Sequence, residues 1–277
     1  MATATATNTD TVTDTATDSS ETAPAKHAFT TVPFRPHPPH KKTTVSHMLS
    51  FFRPTIRKSD IFNGFTDWHC HILPGVDDGI ASIHDALAVL HTYEQLGVHE
   101  VWLTPHIMED YPNTPADLRR SYDELCTEWK GKVRLQLAAE HMLDGIFPHR
   151  LEKGDVLPIG HARQHLLVET SYFNPPVGFH SILKDIKAAG YHPLLAHPER
   201  YVYMDEEDYD ELHDMGVLFQ LNLPSLTGMY GENAQKKAQM LMKKDMYHAT
   251  GTDLHRLKAL EILLGKKVPK GKLPQKI

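Results

Sequence analysis

Only two cysteines, Cys70 and Cys126, occur in the 277 residues of this chain. That is too few for a disulfide framework and points to a reducing compartment, so a cytoplasmic location is expected. Neither opens a Cys-x5-Arg signature, in which an arginine and backbone amides surround a thiolate. The sixth residue after Cys70 is Val76, and after Cys126 it is Lys132. No apolar run reaches the roughly 18 residues that a membrane span requires. Positive charge is not in excess either: 29 basic against 35 acidic residues leave a net charge of −6, which gives no reason to expect nucleic acid as a partner. What remains is ordinary globular composition, 40% hydrophobic and 23% charged, enough for a sizeable core. One residue type stands out. There are twenty histidines, and their positions must decide what they mean.

The amino-terminal part lacks core-building residues. Residues 1–25 are mostly Ala, Thr and Asp with no apolar stretch, so they form neither a signal peptide nor a core segment. Residues 33–42 are proline-rich and basic, a composition that stays extended and solvated. The expected division is a disordered or extended tail over 1–60 and one folded domain over 61–277. Phe51 and Phe52, followed by Arg53, Arg57 and Lys58, suit contact with a membrane surface or a partner. A capping segment or linker is the better reading, since one short cluster is marginal for anchoring.

From residue 65 onward, β-prone runs alternate with helical patterns. Strands are expected at 65–71, 98–104, 132–140, 165–169, 192–197, 217–221 and 247–252. Over 81–96, Ile83, Ala86, Leu87 and Leu90 share one helical face, with Ser82 as N-cap, Asp85 three residues on and Gly97 at the end. A second helix starts at Thr114-Pro115 and is expected to run to Gly131; a third covers 178–189. Such alternation implies parallel strands joined by crossover helices. Seven units in about 200 residues fit a small closed barrel, with a doubly wound open sheet as the alternative.

The metal-type residues fall on this map in a pattern. His69, His71 and Asp78 lie at or just after the first strand, and His106 follows the second. Glu140 ends the third and Glu169 the fourth. His197 ends the fifth, and Asp253 and His255 follow the seventh. All nine sit at carboxyl-terminal strand ends, where barrel enzymes place their chemistry. In a strand, alternate side chains share a face, so His69 and His71 point together and Cys70 away. Imidazoles with carboxylates and no convincing thiolate suit Mn, Fe or Zn. Nine ligands exceed the need of one ion, so a multinuclear centre is expected. Singly, each residue has an ordinary explanation, a hydrogen-bonded histidine or a structural ion pair; the coincidence at one end of the strands does not. The other fifteen histidines are read as surface or packing residues, with His141 facing away from the site.

These motifs resemble a known family. The run from Asp67 to Gly79 (DWHCHILPGVDDG), with Thr104-Pro105-His106, Ala196-His197-Pro198-Glu199-Arg200 and Gly251-Thr252-Asp253-Leu254-His255, looks like the PHP (polymerase and histidinol phosphatase) superfamily. More closely, it is similar to the bacterial tyrosine-protein phosphatases of capsular and exopolysaccharide biosynthesis. The resemblance covers about 65–255. It implies a distorted (β/α)7 TIM-like barrel, the PHP fold, and a site of three divalent ions, manganese first, with Fe, Zn or Co as alternatives. By motif, His69, His71, Glu140 and Asp253 would hold one ion, Asp78, His106 and His255 a second, and Glu140, Glu169 and His197 a third. Arg200 matches a phosphate-binding arginine. The implied partner is a phosphotyrosine protein, a tyrosine kinase of polysaccharide export. Two departures stand out: Ile107 replaces a second histidine, and Gly251-Thr252-Asp253-Leu254-His255 replaces Ser-Asp-Ala-His. Residues 48–53 look like the family's usual start, which makes 1–47 an extension and Met48 an alternative initiator.

The expected reaction is hydrolysis of a phosphate monoester by a metal-bound hydroxide, because divalent ions bring bound water to a roughly neutral pKa. Arg200 would pair with two phosphate oxygens. Phosphotyrosine is a comparatively easy substrate, since its leaving phenol has a pKa of about 10. Competing readings are a phosphatase of a small phosphate monoester, histidinol-phosphate-like or a nucleotide, and a non-catalytic metal-binding protein. Tyr111, Tyr172, Phe173, Tyr201 and Tyr230 are expected either to shape the substrate mouth or to pack.

Overall fold

A computed structural model of the chain describes residues 53–277. The expectations for residues 1–47, Met48, Phe51 and Phe52 lie outside the described residues. The described strands are β1 (Thr66–Cys70), β2 (Glu100–Leu103), β3 (His106–Ile107), β4 (Arg134–Leu137), β5 (Glu140–Met142), β6 (His165–Glu169), β7 (His192–Ala196), β8 (Leu218–Asn222) and β9 (Tyr247–Gly251). Between and after them come helices α1 (Ile83–Leu96), α2 (Pro115–Glu128), α3 (Phe147–Lys153), α4 (Phe179–Ala188), α5 (Glu206–Asp214), α6 (Leu223–Leu226), α7 (Gly231–Lys243) and α8 (Leu257–Gly265).

Every named strand pairing is parallel, in one sheet of order β1-β2-β4 and a second of order β3-β5-β6-β7-β8-β9. The two sheets are one wall. β2 and β3 are halves of a strand interrupted at Thr104-Pro105, where proline has no N–H for the ladder. β4 and β5 are likewise interrupted at Ala138-Ala139. The ladder runs on across both gaps, through Ala138 N to Leu103 O (2.9 Å) and Glu140 N to Pro105 O (3.1 Å). Counting each interrupted pair once turns nine strands into the seven expected. The ends of the wall meet: Cys70 bridges Leu254 in parallel, and Asp253 N donates to His69 O at 2.7 Å. This closure excludes the open sheet. It also requires Gly251, because a Cβ there would lie 2.4 Å from the His69 Cβ.

Local chemistry sets the helix ends. The Ser82 hydroxyl accepts from Asp85 N (3.1 Å), and Gly97 ends α1 in the left-handed region at φ 83°. Thr114 caps α2 in the same way, with Pro115 in its first turn. That helix stops at Glu128, before the expected Gly131. Trp129 leaves the helix so that its indole N–H reaches Val133 O (2.9 Å), and its ring lies where a Cβ on residue 131 would be. Gly131 therefore makes room for an indole and does not end the helix.

The tail boundary also differs. Residues 53–60 are docked on the barrel: Ile56 is fully buried, its N–H donates to Lys266 O (2.8 Å), and Thr55 bridges Lys267. The partners are over 200 positions away, so composition near residue 56 does not reveal them.

The core has two parts. Apolar faces of the helices, such as Leu90 and Tyr93 of α1 and Leu183 of α4, pack in the larger hydrophobic cluster around the barrel. A smaller cluster includes Trp68, Trp102, Leu167, Leu194 and Ala249, with the two indoles stacked at 5.6 Å. The β1 register against β2 shifts between Asp67 and Cys70. Such an irregularity breaks strict alternation. Trp68 thus joins the smaller cluster while the next residue, His69, reaches Gln220 of β8.

Candidate metal centre

Nine side chains named from the sequence converge at the carboxyl-terminal ends of the strands. The Nε2 atoms of His69 and His71 lie 3.1 Å apart, and Cys70 between them points to the Trp102 carbonyl instead. Glu140 Oε2 is 3.2 Å from His69 Nε2, 3.3 Å from His71 Nε2 and 3.2 Å from His106 Nδ1. Its other oxygen is 3.1 Å from His197 Nε2. Asp253 Oδ1 lies 3.6 and 3.5 Å from the same His69 and His71 nitrogens. Asp78, the most exposed of the nine, is 3.5 Å from both His106 Nε2 and His255 Nε2.

Ligand-capable atoms fall into four overlapping groups whose members lie within 4.8 Å of one another: His69 with His71 and Asp253; His71 with Asp78, His106 and His255; His69 with Glu140 and His197; and His106 with Glu140 and Glu169. The first two contain or closely follow the expected sets. The third expected set, Glu140, Glu169 and His197, is divided between the last two groups, Glu140 joining His197 in one and Glu169 in the other; Glu169 Oε1 lies 2.9 Å from His106 and its Oε2 4.0 Å from His197. Glu140 belongs to both of the last two groups.

Backbone form aims these groups. His197 and Asp253 adopt φ of 34° and 50°, the left-handed region that non-glycine residues rarely enter. Each costs on the order of 1 kcal/mol, and such strain concentrates at functional sites. The loop carrying Asp77 and Asp78 folds back on β1 through Ile80 N to His71 O (2.9 Å). Gly79 permits this, since a Cβ there would lie 2.2 Å from His71 O.

Three residues that hydrogen-bond the candidate ligands, Asp77, Gln220 and Asn222, were not singled out from the sequence. The buried Asp77 accepts from His71 Nδ1 at 2.8 Å, and from the backbone N–H of Gly79 (2.9 Å) and His106 (3.0 Å). Burial alone would push its carboxyl up, but the His71 ring outweighs burial and holds it at about 2. Gln220 Oε1 takes the backbone N–H of His197 (3.2 Å) and so must be the acceptor for His69 Nδ1–H (2.8 Å). Both contacts place a proton on Nδ1 and turn Nε2 toward the centre, the usual second-layer arrangement of a metal-binding histidine. Asn222 donates to Asp253 Oδ2 (2.8 Å). For Asp77, the doubled Asp77-Asp78 of the motif was the available signal. For Gln220 there was none.

The electrostatics are those of a charge cage. Burial lowers the His69 pKa, yet the Glu140 and Asp253 carboxylates outweigh it and raise it to about 9. Glu140, although burial pushes it up, is held well below the usual carboxylate range by His69 and His197. A direct test of metal fit is hydrogen-bond satisfaction. Nine buried side-chain N or O atoms lack a hydrogen-bond partner among the described residues, and five of them are here: both Glu140 oxygens, Glu169 Oε1, His106 Nδ1 and His197 Nδ1. Buried polar atoms are normally paired. Carboxylate oxygens facing imidazole nitrogens at 3.1–3.3 Å without hydrogen-bond geometry are what a cation between them would satisfy. The donor set fits divalent ions of the Mn, Fe or Zn type.

Above this cage opens a cleft of about 460 Å³ lined by Met108, Tyr111, Met142, Tyr172, Tyr230 and Arg256, among others. Arg200 sits in its wall, its Cζ 4.4 Å from the Tyr172 ring and 4.1 Å from the Tyr230 ring, paired with Asp253. Of the five aromatics expected at the mouth or in packing, Tyr111, Tyr172 and Tyr230 line the cleft. Tyr201 is wholly buried, with Thr170 N donating to its hydroxyl, and Phe173 is exposed. His141 faces away, as expected: its Nδ1–H donates to Leu167 O (3.1 Å) and its Nε2 accepts from Leu157 N (3.2 Å).

Residues 65–263 match the family model described as capsular polysaccharide synthesis, CpsB/CapC. Among curated proteins, the chain is 27% identical over 198 residues to tyrosine-protein phosphatase YwqE of Bacillus subtilis, covering 69% of this chain and 78% of that protein. It is 28% identical over 204 residues to tyrosine-protein phosphatase CpsB of Streptococcus pneumoniae, covering 69% and 83%. Among solved structures, it superposes with a TM-score of 0.65 and 23% identity on a chain from the crystal structures of those two proteins, described as unique metal-dependent tyrosine phosphatases. That match covers 77% of this chain and 99% of the other, and it shows a shared fold. With nearly three-quarters of its length matched, the chain belongs to the capsular polysaccharide synthesis CpsB/CapC family.

Proposed function

We propose that this protein is a metal-dependent protein-tyrosine phosphatase whose substrate is a phosphotyrosine protein, a bacterial tyrosine kinase of capsular or exopolysaccharide biosynthesis, met in the cytoplasm. The observation that carries the reading is Glu140: a buried carboxylate with neither oxygen hydrogen-bonded, ringed by imidazole nitrogens of His69, His71, His106 and His197. The names of the relatives supply the substrate class.

Three divalent ions, manganese by preference, would be held by His69, His71, Glu140 and Asp253, by Asp78, His106 and His255, and by Glu140 with Glu169 and His197. When bound, such ions supply an acidified water and neutralise the charge of the phosphoryl oxygens. The protein's own residues do the rest. Arg200 is fully charged, since Asp253 outweighs burial and raises its pKa further, and its planar fork suits two phosphate oxygens. The flanking rings of Tyr172 and Tyr230 hold that fork in place. The aromatic and methionine walls exclude water from the phosphate and accommodate a phenyl ring. A leaving phenol of pKa about 10 needs no strong acid, and no residue is assigned that role. Cys70 is no nucleophile: burial pushes its thiol well above its ordinary value, and the sulfur faces a carbonyl.

The test is metal analysis of protein purified without chelators, paired with EDTA stripping and re-addition of Mn, Fe, Zn or Co during turnover of a phosphotyrosine peptide. Activity that survives stripping overturns the reading. Higher kcat/KM on a small phosphate monoester than on the peptide redirects it to a small-molecule substrate.

A further inference from the structure

Four of the six large hydrophobic side chains that stand exposed among the described residues are on segments bordering the cleft: Phe173 (70% exposed), Val177 (fully exposed), Val202 (55%) and Tyr230 (40%). Phe173 and Val202 adjoin the cleft wall, and Val177 lies between Pro176 and Gly178 of the groove next to it. Tyr172, whose ring covers Arg200, is followed directly by Phe173, and its carbonyl accepts from Val202 N at 2.9 Å. The neighbouring Tyr203 stacks on Tyr201 at 5.7 Å and shares a hydrogen bond with Thr170 at 2.6 Å. Beyond it lies an apolar groove of about 480 Å³ walled by Pro175, Pro176, Phe179, Met204 and Leu212. Two consecutive prolines hold one wall in place, so little chain entropy is lost when something binds there.

We propose that this collar and groove are the docking surface for the polypeptide beside the phosphotyrosine, selecting substrates with apolar residues within a few positions of it. The proposal rests on the phosphatase reading above and names the part of the substrate that the metal cage cannot recognise. Consecutive Cα atoms are about 3.8 Å apart, so Phe173 stands one residue step from the Tyr172 that covers the arginine. An extended peptide advances about 3.3 Å per residue, which carries its next two to four residues from the cleft over the collar. A small phosphate ester ends before reaching it. The collar's contribution is therefore expected in KM for peptides and nowhere else.

The experiment uses the metal-loaded full chain and three substrates: a phosphotyrosine peptide with Leu and Val flanks, the same peptide with Ser and Gly flanks, and p-nitrophenyl phosphate. Wild-type kcat/KM should favour the apolar peptide by roughly tenfold, the effect of burying about one large side chain. A Phe173→Ser, Val177→Ser double variant should abolish that preference through KM. Rates on p-nitrophenyl phosphate should stay unchanged; both side chains are exposed, so the fold should be unaffected, and Val202→Ser provides an independent repeat. Equal wild-type rates on the two peptides, or a preference that survives the substitutions, overturns the proposal. So does a wild-type dimer in sedimentation that the double variant converts to monomer. If the wild type turns over none of the three, fluorescence anisotropy with the apolar peptide separates the readings. Binding lost in the double variant keeps the docking surface and removes the phosphatase; binding unchanged by the variant removes the docking surface.

Discussion

Glu140 and Glu199 are both buried carboxylates on the same barrel, and they live differently. Glu199 accepts from Asn222 N at 3.0 Å and from the Tyr247 hydroxyl at 2.9 Å, and burial raises its pKa. Glu140 has no hydrogen bond to either oxygen, faces four imidazoles, and is held well below the ordinary range despite its burial. Histidines divide along the same line. His141 has both ring nitrogens satisfied by backbone and burial lowers its pKa to about 4, whereas His106 and His197, which face Glu140, each keep a ring nitrogen without a hydrogen-bond partner among the described residues. A buried charge is thus not in itself a functional sign. A buried carboxylate ringed by imidazoles with no hydrogen bond to either oxygen is one, because a folded chain seldom tolerates unsatisfied polar atoms without a ligand.

The largest expected effect comes from attacking the Glu140 side of this contrast. Glu140→Gln keeps the shape and removes the charge. It should lower kcat/KM on phosphotyrosine peptide by at least about a thousandfold, roughly 4 kcal/mol, and deplete the bound metal. Glu199→Gln should keep metal and most activity while costing about 1–3 kcal/mol of stability in denaturant unfolding. Equal behaviour of the two variants would erase the distinction. Arg200→Ala should lose about a hundredfold or more in rate with metal content unchanged, read by elemental analysis beside kinetics. Loss of metal in that variant would recast the arginine as a support for Asp253.

The histidine contrast yields a pH prediction. The folded pKa of His141 is depressed to about 4 from 6.5, so its stabilising share is complete above pH 6.5 and declines as pH falls toward 4. The full loss is about 3 kcal/mol, with roughly 2 gone by pH 5. His141→Gln can keep both backbone hydrogen bonds, so its stability relative to wild type should improve by about that amount between pH 8 and pH 5. A constant difference across that range would mean the ring is not neutral in the folded protein. The smallest effect is expected one layer out: Asp77→Asn should weaken metal affinity about 10–100-fold by loosening His71, measured by competition with a chelator.

Much of this was legible beforehand, for reasons that differ from element to element. The expected 81–96 and 178–189 helices match α1 and α4 closely, because their caps and apolar spacing are local. The nine candidate ligands were found because strand ends are marked by the change from β-prone runs to loop residues, and barrels gather those ends. The end of α2 was misread because the role of Gly131 depends on where the Trp129 ring goes. The docking of Ile56 was missed because its partner is Lys266. The assignment of Gln220 to His69 spans 151 positions and leaves no local trace.

The division between the two sources of information is therefore physical. Sequence alone determined what depends on neighbours within a turn or a strand: the alternating rhythm, the capped helices, the residue types at each strand end, and the absence of a usable thiol signature. Tertiary structure decided whatever depends on closure. It set which end of the wall meets which, why Gly251 must lack a side chain, which carboxylate is left without a hydrogen bond, and how Glu169 divides between His106 and His197. Those outcomes rest on distances of about 3 Å between groups far apart along the chain, and only the closed barrel sets such distances.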